Sequence, residues 1–143
     1  MAIQVVTTEQ STLFTIRTKH TTYQMKADEY GVLLHLWYGA SVEGDMSYLL
    51  DYPDVGFSGN LYEAENRRTY SLNTLPLEYA TEGVGDFRIP AVAATHADGS
   101  NALDLRYQSY SIHKGKYAIA GLPDAFGYIL SALIGTALLV ILF

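Results

Sequence analysis

Leu13-Phe14-Thr15-Ile16-Arg17-Thr18, followed shortly by Thr21-Thr22-Tyr23-Gln24-Met25-Lys26, is the stretch that decides the fold. Both runs alternate apolar and polar side chains, and a period of two indicates strands with one covered face. A third run, Val32 to Tyr38, is mostly apolar, β-branched or aromatic, which predicts a more buried strand. The turn residues Asp28-Glu29-Tyr30-Gly31 precede it. Three strands in sequence with short turns predict an antiparallel meander.

The segment from Gly39 to Gly85 loses this periodicity and is rich in glycine, with two prolines. A loop of this length within a compact domain is usually functional or disordered, and its many aromatic and leucine residues argue against disorder. At its end, Gly85-Asp86-Phe87-Arg88-Ile89-Pro90-Ala91 concentrates charged, aromatic and turn-forming residues. Beyond it, Asp98-Gly99 predicts a hairpin turn between two strands, Ala91 to His96 and Ala102 to Ser111.

Composition narrows the class of protein. The 143 residues suit one domain, and 49% hydrophobic content with 17% charged content supports a folded core. The net charge of −6 argues against a nucleic-acid-binding surface, which requires a basic patch. The absence of cysteine excludes disulfides and thiolate metal sites. The first ten residues lack a basic region followed by an apolar run, so we expect a cytoplasmic protein without a signal peptide.

Several short motifs occur in a fixed order from about Leu13 to Pro123. They are Tyr23-Gln24-Met25, Gly31-Val32-Leu33-Leu34-His35-Leu36-Trp37-Tyr38-Gly39, Phe57-Ser58, Arg68-Thr69-Tyr70-Ser71-Leu72, Thr74-Leu75-Pro76, Gly85-Asp86-Phe87-Arg88, Asp104-Leu105-Arg106-Tyr107 and Gly121-Leu122-Pro123. In order and spacing they resemble the N-terminal domain of family 36 glycoside hydrolases, the bacterial α-galactosidases or melibiases. Each motif alone is weak, but together they are specific.

The resemblance implies an all-β fold, part of an antiparallel β-supersandwich. In the family this domain precedes a (β/α)₈ barrel that holds the two catalytic Asp residues and hydrolyses terminal α-galactosides such as melibiose and raffinose with retention. It also implies a homo-oligomer in which a loop of this domain, here Asp51 to Arg68, reaches an active site. On the family pattern, Asp54 and Arg68 match residues that line the galactose pocket. No cofactor and no metal are implied.

The sequence also departs from the family pattern. Asn73 stands where the family usually has Asp, and Gly59 replaces the usual Pro. The Lys-aromatic-Asp motif of the nucleophile is not found in these 143 residues. We therefore predict no catalytic residue in this chain, which we interpret as truncated before the barrel and inactive alone. Two alternatives are a non-catalytic carbohydrate-binding module and a membrane-anchored interaction module.

Individual side chains have simpler structural interpretations. Two carboxylate pairs, Asp51 with Asp54 and Glu82 with Asp86, are conceivable, but no deep pocket is indicated around either. An exposed Asp54–Arg68 pair could equally be a loop ion pair of little net stability. The four histidines have no metal-ligand spacing.

The Gly85 to Ala91 loop and its neighbours also have structural interpretations. We predict that Asp86 and Arg88 tie this loop to the sheet through backbone groups, with Phe87 as its apolar anchor. Asp104 and Arg106 are predicted to share a strand face and to pair with that loop. Trp37 and Tyr38 could stack on a sugar, although strand aromatics more often lie in the core.

The last 19 residues, Ala125 to Phe143, carry no charge. As a helix they would extend about 28 Å, against a hydrocarbon thickness of about 30 Å. Three interpretations remain: a membrane span, a buried helix or strand pair, and the end of a truncated or out-of-frame product, which we favour. We accordingly divide the chain into a β-domain, 1–124, and an apolar helical tail, 125–143, with membrane association through the tail.

Overall fold

A single antiparallel sheet organises the chain. The structure is a computed structural model that describes residues 2–56 and 60–113. In this part of the chain the strand order is β1-β2-β3-β4, with every neighbouring pair antiparallel. The strands are β1 (Ala2–Thr7), β2 (Thr12–Arg17), β3 (Thr21–Ala27) and β4 (Leu33–Ala40). The predicted all-β class and the three-stranded meander, now β2 to β4, are confirmed.

The first two hairpins turn on the same local device. In Thr8-Glu9-Gln10-Ser11, the Thr8 Oγ1 accepts the backbone N–H of Ser11 at 3.1 Å. In Thr18-Lys19-His20-Thr21, the Thr18 Oγ1 accepts the N–H of Thr21 at 3.0 Å. A short polar side chain that bonds its own backbone stabilises a turn between strands.

The buried face of the sheet carries polar side chains at its centre. Gln24 is fully buried, and its Nε2 donates to Thr15 Oγ1 at 3.0 Å and to the Gly44 carbonyl at 2.7 Å. Its Oε1 accepts the Met46 N–H at 3.0 Å. A buried amide is tolerated where its bonds are satisfied. These bonds fasten the chain that leaves β4 across this face of the sheet.

The hydrophobic core lies between the start of β4 and the segment that had no periodicity. It comprises Val32, Leu34, Leu61, Ala64, Tyr70, Leu72 and Leu75. The described parts of the long segment, up to residue 56 and from residue 60, are therefore ordered, as predicted, and they supply most of the core. In the part of the segment that the structure describes after β4, regular structure consists of two 3₁₀ turns, Ser47–Leu49 and Tyr62–Ala64, and isolated bridges.

One carboxylate joins the sheet to that segment. Asp28 Oδ1 accepts the N–H groups of Tyr30 and Val32, both at 2.9 Å. Asp28 Oδ2 accepts the hydroxyl of Tyr70 at 2.6 Å. Tyr70 is 1% exposed, and its ring meets that of Tyr30 edge to face at 4.8 Å. Burial, then the bond to Asp28, raises the pKa of Tyr70, so its hydroxyl stays a donor.

Strand predictions failed at both ends of the described region. β1 was not predicted, because most of its residues are exposed on both faces and the sequence does not alternate. The predicted strands Ala91 to His96 and Ala102 to Ser111 are not strands. The turn between them exists, since the N–H of His96 donates to the Ser100 carbonyl at 2.8 Å. Apart from this contact and single bonds such as Leu103 N–H to the Glu82 carbonyl, no ladder forms along them.

The chain separates into two compact units, 1–108 and 109–143. In the second unit the structure describes only 109–113, which carry no regular element. The predicted tail, 125–143, lies outside the described residues. Within 2–56 and 60–113, no helix has the length and apolar character needed to cross a membrane.

We expect Tyr70→Phe to lower the free energy of unfolding by about 1–3 kcal/mol, because it removes the hydrogen bond from a buried hydroxyl to the partly buried Asp28 carboxylate. Urea denaturation followed by circular dichroism measures the change. Tyr62→Phe is the matched control, since Tyr62 is 96% exposed and should change stability by less than about 0.5 kcal/mol. Equal effects of the two substitutions would contradict the role given to the Tyr70 hydroxyl.

Candidate functional site

Asp54 and Arg68, the two predicted sugar-contacting residues, lie together. Arg68 Nη2 is 3.1 Å from Asp54 Oδ1. The same oxygen accepts the N–H of Gly56 at 2.9 Å, and Gly56 has a φ of +69°, a conformation that favours glycine. The two side chains remain 54% and 65% exposed. Asp54 is thus held by a backbone hydrogen bond, and both side chains of the pair are open to solvent.

Arg68 also lines an open groove with a volume of about 1140 Å³. The other lining residues are Gly56, Asn60, Leu61, Tyr62, Glu63, Glu65 and Asn66. Carboxylates, amides and a guanidinium on one surface can accept from and donate to hydroxyl groups. The sequence predicted the loop but not the contribution of Glu63, Glu65 and Asn66, because nothing in their spacing marks them.

The groove is built on the core. Leu61 and Ala64 are buried beneath it, while Tyr62 between them is 96% exposed. Asn60 Nδ2 donates to the Arg67 carbonyl at 2.9 Å and closes the loop on itself. Glu65 follows the 3₁₀ turn with a φ of +50°. Among the described residues it is the non-glycine residue with a positive φ. Loops held in uncommon conformations occur often at functional sites.

Arg67, next to Arg68, faces the other way. Its Nη1 lies 2.6 Å from Glu29 Oε1, and its guanidinium lies 5.4 Å from the ring centre of Tyr52 and 5.6 Å from that of Tyr70. The aromatic rings and the carboxylate hold this arginine as a structural group. Of these consecutive arginines, Arg67 therefore contacts Glu29 and the tyrosine rings, and Arg68 lines the groove.

Asp86 and Arg88 pair with each other, but the backbone group that they reach is the Leu72 carbonyl of the irregular segment and not the sheet, so the predicted tie to the sheet is wrong. Arg88 donates to both oxygens of Asp86, at 2.8 and 2.9 Å, and to the Leu72 carbonyl at 2.7 Å. The N–H of Phe87 donates to Asn73 Oδ1 at 3.0 Å, so Asn serves where the family pattern has Asp. Phe87 is 81% exposed, and its prediction as an apolar anchor is wrong. The ion pair and the amide hold the loop instead.

The ionisation of Asp86 contributes to this tie. Burial opposes the charged form, but the hydrogen bonds from the side chain and N–H of Arg88 outweigh it, and the pKa of Asp86 lies below its usual value. A carboxylate committed to this pair is not placed to act as an acid or base.

Asp104 and Arg106 pair with each other rather than with the Gly85 loop. Arg106 Nε lies 2.6 Å from Asp104 Oδ1, and Arg106 Nη1 donates to the Tyr30 carbonyl at 2.7 Å. Glu63 lies 3.7 Å away from the same guanidinium. The predicted pairing with the Gly85 loop is therefore wrong, because the Tyr30 carbonyl of the β3–β4 turn and the groove residue Glu63 take its place.

The remaining candidates lie elsewhere on the sheet. Tyr38 is 72% exposed rather than in the core, and Trp37 donates to the Ala40 carbonyl at 3.2 Å. His35 Nδ1 lies 2.9 Å from Glu78 Oε1. Among the described residues no group of three His, Cys, Asp or Glu side chains could hold a metal ion.

The fold and the groove define an antiparallel β-domain that presents a hydrogen-bonding loop. The family model described as "Glycosyl hydrolase family 36 N-terminal domain" matches residues 31–142. The chain belongs to glycosyl hydrolase family 36 and corresponds to its non-catalytic N-terminal domain.

Individual relatives agree with this assignment. The bifunctional α-galactosidase/sucrose kinase AgaSK of Mediterraneibacter gnavus is 50% identical over 111 residues, which are 78% of this chain and 12% of that protein. The α-galactosidase Mel36A of Lactobacillus acidophilus is 41% identical over 120 residues, 82% of this chain and 16% of that protein. This chain therefore spans less than a fifth of the length of either relative.

A solved structure shows the same fold. The galactosidase domain of AgaSK superposes with a TM-score of 0.76 at 47% identity, covering 85% of this chain and 17% of that one. A GH36 α-galactosidase AgaA of Geobacillus stearothermophilus, solved with 1-deoxygalactonojirimycin, gives a TM-score of 0.67 at 36% identity, covering 78% of this chain and 15% of that one.

We expect the stability of the chain to fall as the pH falls below about 4, partly through Asp86. The pKa of Asp86 in the folded state lies below its ordinary value of 3.8. Its contribution to the free energy of unfolding is therefore complete above pH 3.8 and is lost as the pH falls toward the pKa of the folded state. Unfolding free energies between pH 2 and pH 6 measure this loss. In Asp86→Asn the dependence should flatten and stability at neutral pH should fall by about 1–3 kcal/mol. Asp51→Asn, an exposed carboxylate, is the control; an unchanged profile in Asp86→Asn would contradict the assignment.

Proposed function

We propose that this chain acts as the N-terminal domain of an α-galactosidase that hydrolyses terminal α-galactosides such as melibiose and raffinose with retention. The observation that carries the proposal is the exposed Asp54–Arg68 pair, 3.1 Å apart, whose arginine lines the groove. Family membership supports it, as do relatives that are themselves named α-galactosidases. Structures of AgaA were solved with raffinose and with stachyose, which supports the substrate class.

The proposed role of the pair is to bind and orient the galactose. A carboxylate accepts hydrogen bonds from sugar hydroxyls, and a guanidinium donates to their oxygens. The opposite charges cancel, so the pair suits a neutral sugar better than a charged ligand. Such contacts fix the orientation of a substrate and leave bond breaking to groups outside this domain.

The rest of the domain has a supporting role in this proposal. In the complete protein, 1–124 would form part of an antiparallel β-supersandwich, pack beside a catalytic barrel and contribute the Asp51 to Arg68 loop to an active site of a homo-oligomer. The apolar segment, 125–143, would form a helix, and extraction of membranes with carbonate tests its association with lipid. The side chains of Asp54 and Arg68 are more than half exposed, which leaves them accessible to a partner surface.

The chain alone should not hydrolyse an aryl α-galactoside, because the pair that would break the bond is proposed to lie in another domain. Release of nitrophenol from purified chain is the measurement. Turnover that persists after repeated purification would overturn the proposal. Calorimetry with galactose and melibiose tests the alternative of an independent carbohydrate-binding module: specific binding by the wild-type chain that is lost in Asp54→Ala would favour it.

A domain exchange tests the site residues in an active context. Residues 1–124 replace the matching region of the M. gnavus enzyme, and the chimaera is assayed on melibiose. Asp54→Ala or Arg68→Ala should each lower kcat/KM by about 10- to 100-fold, since each removes charged hydrogen bonds to the sugar. Asp98→Ala, on the hairpin turn, is the matched control and should leave kcat/KM unchanged. Wild-type activity in both site variants of an active chimaera would refute their assignment.

A further inference from the structure

Asn60 makes its hydrogen bond at the peptide that joins Arg67 to Arg68. Its half-buried side chain donates from Nδ2 to the Arg67 carbonyl at 2.9 Å. The same carbonyl accepts the N–H of Tyr70 at 2.9 Å. A backbone carbonyl has two lone pairs, so both are used here. Because a peptide unit is planar, the two bonds also fix the direction of the Arg68 N–H, which belongs to the same unit.

The residue on the other side of this peptide is held independently. Arg67 Nη1 lies 2.6 Å from Glu29 Oε1, and the Arg67 guanidinium lies 5.6 Å from the ring centre of Tyr70. The N–H of Arg67 donates to the Ala64 carbonyl at 3.0 Å. With Arg67 fastened through both its side chain and its backbone, the orientation of the next peptide decides where the side chain of Arg68 begins.

The side chain of Arg68 is held more weakly than its backbone. Its Nη2 lies 3.1 Å from Asp54 Oδ1, and both side chains are more than half exposed. An exposed ion pair holds a long side chain weakly, because water competes for the charges and the loss of rotamer freedom opposes the contact. The direction in which Arg68 enters the groove therefore depends on the peptide that Asn60 holds.

We propose that Asn60 is a positioning residue for Arg68, and that it acts through the Arg67 carbonyl rather than by contact with the sugar. The inference rests on the proposed function, in which Arg68 donates hydrogen bonds to galactose. A guanidinium that is already oriented loses less freedom when the sugar binds, so orienting it raises affinity. The bond from Asn60 supplies this orientation from seven residues earlier in the chain.

Relaxation of the backbone amides in nitrogen-15-labelled chain tests the positioning without any sugar. Asn60→Asp keeps the size of the side chain and removes the donor, because a carboxylate only accepts. The order parameter of the Arg68 amide should be about 0.85 in the wild-type chain and should fall below about 0.6 in Asn60→Asp. The amide of the buried Leu72 should stay near 0.85 in both.

Asn101→Asp is the matched control for this measurement. It makes the same change of charge beside the Asp98-Gly99 turn, outside the groove, and should leave the Arg68 amide unchanged. An unchanged Arg68 order parameter in Asn60→Asp would overturn the proposal. A fall shared by Leu72 would also overturn it, because it would show a general loss of the fold instead of a local release of Arg68.

A double-mutant cycle tests the consequence for activity in the chimaera with the M. gnavus enzyme. Asn60→Asp should lower kcat/KM on melibiose by about 3- to 10-fold, as expected for the loss of one hydrogen bond. In the Arg68→Ala background the same substitution should change kcat/KM by less than about twofold, because Asn60 acts through Arg68. A purely structural role, or a direct contact of Asn60 with the sugar, would lower kcat/KM equally in both backgrounds. Such additivity would overturn the proposal.

The two experiments separate this inference from the proposed function. If Arg68→Ala leaves kcat/KM of an active chimaera at the wild-type value, the proposed sugar contact fails, while a released Arg68 amide in Asn60→Asp would still support the positioning role. If Arg68→Ala lowers kcat/KM and Asn60→Asp does not, the positioning role is refuted and the sugar contact stands.

Discussion

The hydrogen bond between Tyr70 and Asp28 is the contact on which the rest of the structure depends. Asp28 closes the β3–β4 turn with one oxygen and holds Tyr70 with the other, so a single carboxylate sets both the turn and the position of the irregular segment. Tyr70 in turn packs against Tyr30 and lies beneath the Arg67 guanidinium. Because Tyr70 is buried, its hydroxyl has no access to water that could replace this bond. This bond therefore couples the sheet to the segment that carries the groove, together with the core packing of Leu34 against that segment.

Side chains, rather than ladders, hold the irregular half of the domain. Gln24 fastens the chain after β4 through Gly44 and Met46, and Arg88 fastens the Gly85 loop through the Leu72 carbonyl. Each donor or acceptor satisfies a backbone group that has no strand partner, which is the condition for burying irregular chain. These side-chain bonds therefore fix the path of the backbone although the sequence of the segment has no strand or helix periodicity.

The same arrangement explains how far the sequence predicted the structure. Alternation identified β2 and β3, but in β3 the polar side chains of Thr22 and Gln24 are the buried ones, and the apolar Tyr23 and Met25 are only partly buried. It missed β1, where most positions are exposed, and it wrongly assigned a strand at 102–111, where the pattern alternates but single bonds such as Tyr107 N–H to the Gly31 carbonyl replace a ladder. Asp54 and Arg68 came from the family resemblance, since residues so far apart in sequence give no local signal of contact. Phe87 was misjudged because an aromatic residue in a loop resembles an anchor until its exposure is known.

The position of the groove follows from this coupling. Leu61 and Ala64 are core residues, and the exposed side chains of the groove alternate with them along the same short segment. The residues that line the groove belong to the same backbone segment as buried core residues. The core therefore holds the groove rigid although, among the described residues, no long strand or helix supports it. The adjacent residues Arg67 and Arg68 point to different surroundings. The Arg67 guanidinium lies over the ring of the buried Tyr70, and the Arg68 guanidinium lies beside Asp54. Because Arg68 lies two residues before the buried Tyr70 on this segment, we expect a substitution that displaces the Tyr70 ring to alter the position of Arg68 as well.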